Sequence, residues 1–300
     1  MRPTPAIPAE TALARHRGRV ALALAYGFAL AAALGVGRGL HGREPLWVAA
    51  FADVIATGAV FLVSMATNNS SIYDPYWSVA PIPVVLYWAS VGGFRLRAVL
   101  VVVLVCAWGV RLTANQLLRW RGLLEEDFRY RELRRRTGRA YWAASLVGIH
   151  LLPTAWVFLG LVPLYPALAL PSRPLGPLDG LAVALASFAI ALEAAADLQL
   201  RRFLARRNDR SEILSRGLWA LCRHPNYLGE ILFWWGLFLF GLSAAPHWAW
   251  AAIGPAAITL LFLLVSVPWM DRRMREGHAA YEERLRSTPS LLPWPRRRPS

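Results

Sequence analysis

The run LWVAAFADVIATGAVFLVSMA, residues 46–66, carries one charged side chain, Asp53. Its length is enough to cross a hydrocarbon layer as a helix. Soluble domains of this size do not normally carry many uncharged runs of that length, and outward from residue 46 the chain repeats the pattern. Upstream lies the run 20–36. Downstream lie a shorter run at 79–91, then 98–118, 143–170, 178–200, 227–242 and 248–269, the 143–170 run being interrupted by Pro153, Pro163 and Pro166. The 300-residue chain is 56% hydrophobic, with a mean hydropathy of +0.38. The expected fold is all-α: a polytopic integral membrane helical bundle of seven or eight transmembrane helices, with eight the number read from the runs.

The charge pattern orients this bundle. All 33 basic residues are arginine, against 18 acidic ones, for a net charge of +15. A nucleic-acid partner would explain the sign but not the placement, so none is expected. The arginines cluster between apolar runs, as cytoplasmic loops do. Residues 119–139 hold eight, residues 201–223 seven, the chain from Arg272 onward eight, and the N-terminal segment four. The alternate connections hold Arg38 and Arg43, then Arg95 and Arg97, then Arg173 alone. This excess places both termini in the cytoplasm, with residues 67–78 on the same face, and an even helix count agrees. Trp77, Trp88, Trp120, Trp142 and Trp248 fall near expected helix ends, as an interfacial aromatic belt does. Cys106 and Cys222 offer neither a paired framework nor metal-ligand spacing, so no metal is expected. No small-residue cleavage site follows the first apolar run, so a cleaved secretion signal is not expected.

Candidate chemistry concentrates in SRGLWALCRHPNYLGE, residues 215–230. A basic loop runs into Pro225, which suits the first turn of a helix. Free N–H groups and the dipole at such a start favour an anion, and Arg223 and His224 add donors. Glu230 lies one to two turns inside an apolar helix, where an ionisable residue marks a functional candidate. Glu193 and Asp197 are four apart and share a helix face, with Arg201 another four along. Carboxylates there could bind ribose hydroxyls or an amide; an ion-pair ladder from Asp197 to Arg201 is the alternative. After the last run come Asp271, Arg272, Arg273, Arg275 and Tyr281, a basic and aromatic cap suited to a phosphate-bearing cofactor. A solvated cytoplasmic tail explains the same residues.

These blocks have a specific order. Glu193-x-x-x-Asp197-x-Gln199, Gly217-Leu218-Trp219, Arg223-His224-Pro225-Asn226-Tyr227-x-Gly229-Glu230, Trp234-Trp235-Gly236, then Pro268-x-x-Asp271-Arg272 and Tyr281 resemble the bacterial branch of the steroid 5-alpha-reductase superfamily, the DUF1295 group. The resemblance covers residues 178–295 most strongly and extends to 70–78 and 126–131. It implies a bacterial inner-membrane enzyme whose C-terminal helices and loops hold NADPH, with hydride passing to a carbon–carbon double bond of an apolar, lipid- or steroid-like substrate. It implies cofactor roles for Asp197, Asn226, Tyr227 and Glu230, with Arg223, His224, Glu193, Arg201, Asp271, Arg272, Arg275 and Tyr281 as further candidates. The steroid enzymes also use a Glu on an early helix with a Tyr on a later one, and neither aligns here. Asp271 stands where many relatives carry Glu. The expected organisation is a cytoplasmic segment 1–19, one transmembrane domain 20–295 whose cofactor-binding half starts near 178, and a basic tail 296–300.

Residues 68–78, Asn-Asn-Ser-Ser-Ile-Tyr-Asp-Pro-Tyr-Trp-Ser, join two apolar runs, with Asp74-Pro75 favouring a turn. Enone reduction needs an acid near the carbonyl oxygen. Tyr73 or Tyr76 is the candidate, oriented by Asp74; a simple capped connection is the alternative. Asp53, Arg111 and Asn115 lie inside apolar runs and are expected to face the bundle interior. His150 reads as packing. Two enzyme readings remain open: the NADPH-dependent reductase, and an S-adenosylmethionine-dependent membrane methyltransferase of the isoprenylcysteine or phospholipid type, which shares Arg-His-Pro-x-Tyr-x-Gly. The Glu193/Asp197 pair, Asn226, Glu230 and Trp234-Trp235-Gly236 favour the reductase. A transporter would show repeated or discontinuous helices, and no repeat stands out.

Overall fold

The computed structural model describes residues 9–120, 122–123, 126–207, 209, 211–278 and 280–292, without the side chains of 9–15 and 119. The basic tail 296–300, residues 1–8 and Arg210 lie outside the described residues.

All regular structure among the described residues is helical: α1 (Ala9–Gly39), α2 (Pro45–Ala66), α3 (Tyr76–Val79), α4 (Pro81–Gly92), α5 (Leu96–Arg119), α6 (Phe128–Thr137), α7 (Tyr141–Ser145), α8 (Leu152–Leu161), α9 (Leu164–Leu168), α10 (Pro177–Arg206), α11 (Leu218–Leu221), α12 (Pro225–Ala244), α13 (Ile253–Leu261), α14 (Val267–Gly277) and α15 (Tyr281–Ser287), with short 3₁₀ and π turns between some of them. Seven helical segments are long and apolar enough to cross a membrane: residues 16–39, 45–66, 96–118, 128–161, 177–206, 225–244 and 246–277. The protein is a polytopic helical bundle.

The count differs from eight at the short run 79–91. That run is α4, twelve residues long, ended by Gly93 at φ 87°. Ala80, between α3 and α4, keeps helical angles, so residues 76–92 form one nearly continuous rod. At about 1.5 Å per residue the rod reaches roughly 26 Å, a few ångströms short of a hydrocarbon core about 30 Å thick. Pro153 is tolerated because it follows a π turn over Leu146–Leu151; such a turn relaxes the hydrogen-bond ladder a proline would break.

The chain forms two compact units, residues 1–93 with 108–158, and residues 94–107 with 159–300. In the first, α1 packs along α2, and Val60, Ile72, Tyr73, Trp88 and Trp108 are fully buried. In the second, α10 and α12 run antiparallel at close range. A β-carbon on Gly236 would sit 3.1 Å from Ala186 Cβ, and one on Gly229 2.8 Å from Glu193 Cβ. Ala182, Ala186, Ala189 and Ala196 have no exposed surface. Small residues permit this approach, as at membrane helix interfaces generally. At the far end of α10, Asp179 accepts from Arg97 Nε at 2.7 Å and from Ser243 Oγ at 2.6 Å.

Candidate functional site

In the second unit the α10–α12 seam carries the candidate cofactor residues. Glu193, Asp197 and Glu230 are each 5% exposed or less. Glu193 faces Gly229 directly, so antiparallel register places Asp197 level with the start of α12. Asn226, in that first turn, has a buried Oδ1 with no hydrogen-bond partner. A buried carbonyl oxygen left in this state costs free energy and marks room for a donor. Glu230 turns inward: its Oε1 accepts from Trp234 Nε1 at 2.9 Å. Gly217, at φ 64°, lets Leu218 N donate to Gln199 Oε1 at 2.9 Å; a side chain at 217 would meet that Oε1 at 2.6 Å. Trp219 Nε1 donates to Ala196 O. The Gly-Leu-Trp block thus anchors the basic loop to the end of α10, where Arg201 is half-buried.

A second group of expected cofactor ligands is already engaged. Asp271 accepts from Arg223 Nη2 at 2.7 Å and from Arg223 Nε at 3.2 Å. It also accepts from His224 Nε2 at 2.9 Å and from Tyr281 at 2.6 Å. Arg223 donates further to Thr288 O. The backbone closes the same clamp: Arg223 N donates to Pro289 O and His224 N to Ser290 O. Residues 281–291 are therefore strapped across the start of α12. Burial, with Asp271 beside it, pushes the Tyr281 phenol up. Tyr227 stacks on His224, ring centroids 5.1 Å apart, and meets Phe262 at 5.0 Å.

A third group is on the surface. Arg272 pairs with Glu276 at 3.0 Å and Arg275 with Glu282 at 2.9 Å, all four side chains being more than 40% exposed. They line an open cleft of about 400 Å³ with His278.

The first unit separates the tyrosines from the acid expected to orient them. Asp74 accepts from Tyr130 and lies 3.8 Å from Arg129. Partial burial still raises its carboxyl to about 6, against the pull of Arg129 and Tyr130. Tyr73 instead bonds Thr154 Oγ1 at 2.8 Å, Thr154 bonds Thr57 at 2.9 Å, and burial pushes the Tyr73 phenol up. The Tyr76 hydroxyl interacts with the Asp53 carboxyl and with Thr57. Asp53, on α2, is 7% exposed. Asp74 thus orients neither tyrosine; an aspartate on an earlier helix meets Tyr76. Tyr130 falls in the 126–131 block of the family resemblance, but nothing in the sequence marked Thr57 or Thr154, whose hydroxyls lie in ordinary apolar stretches. His150, read as packing, bonds Ser64 and Ser145 and sits 4.8 Å from the Tyr73 ring.

The model of a family described as a protein of unknown function, DUF1295, matches residues 60–288. An uncharacterized protein of Schizosaccharomyces pombe is 28% identical over 234 residues, covering 68% of this chain and 67% of that protein. No solved structure matches.

Proposed function

The chain belongs to the DUF1295 family, and from that premise we propose that it is an NADPH-dependent membrane reductase acting on a carbon–carbon double bond of an apolar, lipid- or steroid-like substrate. The observation that carries this reading is the buried, unpartnered Asn226 Oδ1 in the first turn of α12, the helix whose Gly229 packs on Glu193, with Asp197 one turn along α10. Asn226 Oδ1 and the carboxylates of Glu193 and Asp197 are the acceptors this place offers. A nicotinamide carboxamide and ribose hydroxyls are donors, and they fit it. Asn226 would take the amide, Asp197 and Glu193 the hydroxyls. Arg206 and Arg207 at the end of α10 are candidate cations for a 2′-phosphate, as are Arg272 and Arg275, which would exchange their exposed Glu276 and Glu282 partners for it. In this reading both termini and the arginine-rich connections lie in the cytoplasm, with the rod 76–92 crossing as the eighth span that this arrangement needs.

When bound, NADPH supplies a hydride. The protein's part is to hold a proton for the substrate and to keep water away. Tyr76 beside Asp53 supports the first role: a phenol that contacts a carboxyl can donate to a carbonyl oxygen and polarise the adjacent double bond. The methyltransferase reading draws on an acidic pair after the final span, and only Asp271, on α14, stands for it here. Its two oxygens already accept from Arg223, His224 and Tyr281, which weighs against that reading.

The test is turnover of lipophilic α,β-unsaturated ketones by the purified protein with NADPH. Consumption of NADPH and a saturated ketone product are expected. Tyr76→Phe should lower the rate by about 10²–10⁴-fold, the usual share of a general acid, with NADPH affinity unchanged. Equal rates for wild type and Tyr76→Phe would remove Tyr76 from the mechanism.

A further inference from the structure

The basic helix α6 lies outside the proposed reductase chemistry. Its inner face is committed to the protein. Tyr130 is buried against Asp74, and Leu133 packs on the core of the first unit. The Arg134 guanidinium lies 3.7 Å from the Tyr141 ring centroid and within 3.3 Å of Glu126. Its outer face is arginine. Arg131, Arg135 and Arg136 are exposed on it, and so is Arg139 in the 3₁₀ turn that follows the helix. Glu132 is shared by Arg135 at 2.8 Å and Arg136 at 2.6 Å, so one negative charge answers two positive ones. Arg131 and Arg139 have no ion-pair partner among the described residues.

The helix also sits at a particular depth. It opens the membrane-spanning segment 128–161, one turn before Tyr141 and Trp142, residue types that settle at the headgroup level. A face with a positive surplus, fixed in orientation by stacking on those rings and placed at the end of an apolar segment, meets lipid phosphates before anything else. We infer that the outer face of α6 and the turn that follows it form a binding surface for anionic phospholipid headgroups, with Arg131, Arg135 and Arg136 on the helix and Arg139 on the turn as its contacts. Arginine suits the role, because its planar fork pairs two phosphate oxygens and stays charged at any working pH. Since Asp127 N donates to Ser71 Oγ and Ser70 N to Glu126 Oε1, a lipid held there also braces the loop that carries Tyr73 and Tyr76.

The test uses the full chain in neutral detergent with equimolar phosphatidylglycerol and phosphatidylcholine, the retained lipid being read by native mass spectrometry. Wild type should retain phosphatidylglycerol preferentially. Each arginine near an anionic surface is worth on the order of fivefold in affinity, so Arg131→Gln with Arg139→Gln should weaken retention roughly twentyfold, and the fourfold variant further. Both positions are exposed and without ion-pair partners among the described residues, so the double variant reads the effect without disturbing the inner face. Arg38→Gln with Arg43→Gln, on another connection of the same unit, should leave it unchanged. Equal retention of both lipids by wild type would overturn the inference. So would an undiminished preference in the double variant, or an equal loss in the Arg38/Arg43 control. Displacement of the lipid by millimolar inorganic phosphate would reassign the face to a soluble phosphate and overturn it as well. None of these readouts depends on the reductase reading.

Discussion

Gly229 faces Glu193 so closely that a β-carbon on the glycine would lie 2.8 Å from Glu193 Cβ and 3.0 Å from Ala189 O. Neither neighbour is the loose end of a flexible side chain; both belong to the helix that carries the acidic pair. Gly229→Ala should therefore push α10 and α12 apart locally. The expected cost is about 1–3 kcal/mol of stability, as for overpacking in a filled core, with NADPH affinity falling at least tenfold because Asn226 and Asp197 lose their register. Thermal melts and nucleotide titration check both.

Asp271 and Arg272 are neighbours with opposite expectations. Asp271 and its partner Arg223 are less than 10% exposed. Asp271→Asn leaves Arg223 without its counter-charge, which should cost roughly 3–5 kcal/mol and free the strap 281–291 from α12. Arg272→Gln removes an exposed pair worth at most about 1 kcal/mol. A melting comparison should show a large drop for the first and almost none for the second. Hydrogen exchange should show residues 281–291 losing protection in the first alone.

Asp74 makes stability depend on pH with a definite sign. Its folded carboxyl titrates at about 6, above the unfolded value of about 3.9, so the folded state holds the proton more tightly. That contribution is complete below the unfolded value and is lost as pH rises through about 6. Asp74→Asn removes the titration. Relative to the variant, wild type should lose stability between about pH 4 and 6, by on the order of 2 kcal/mol once its partial exposure is counted, and stay level above that. A parallel pH response of the two proteins would contradict the assignment.

The bundle itself was legible because hydrophobicity along one segment is a local property. The ends of α2 and α12 fall within two residues of the apolar runs, α10 starts one residue before its run and continues six past it, and the acidic pair reads directly from helical spacing. Pairings across segments were not legible. Asp74 lies next to Tyr73 and Pro75 in sequence, yet Tyr130 and Arg129 capture it, because a tight turn sends its carboxyl away from Tyr73 and Tyr76. Asp53 was visible as a charge out of place, but its meeting with Tyr76 depends on how α2 packs on the loop. The motif Arg223-His224 read as ligand-binding. The structure spends both side chains on Asp271, a residue some fifty positions away, and leaves Asn226 as the open acceptor. The short run 79–91 read as an eighth span; alone it is a twelve-residue helix, and only with α3 does it approach the length a crossing needs.

The central claim is that the seam between Glu193, Asp197 and Asn226 accepts a nicotinamide nucleotide. The most direct measurement is equilibrium titration of the purified protein with NADPH, NADH and S-adenosylmethionine, repeated on Asp197→Asn and Asn226→Ala. NADPH should bind. NADH should bind at least tenfold more weakly, since one charge-assisted arginine–phosphate contact is worth about 1.5–3 kcal/mol. Each substitution should weaken NADPH by roughly tenfold or more. Binding of S-adenosylmethionine in the absence of any NADPH binding would contradict the account and transfer the site to a methyltransferase.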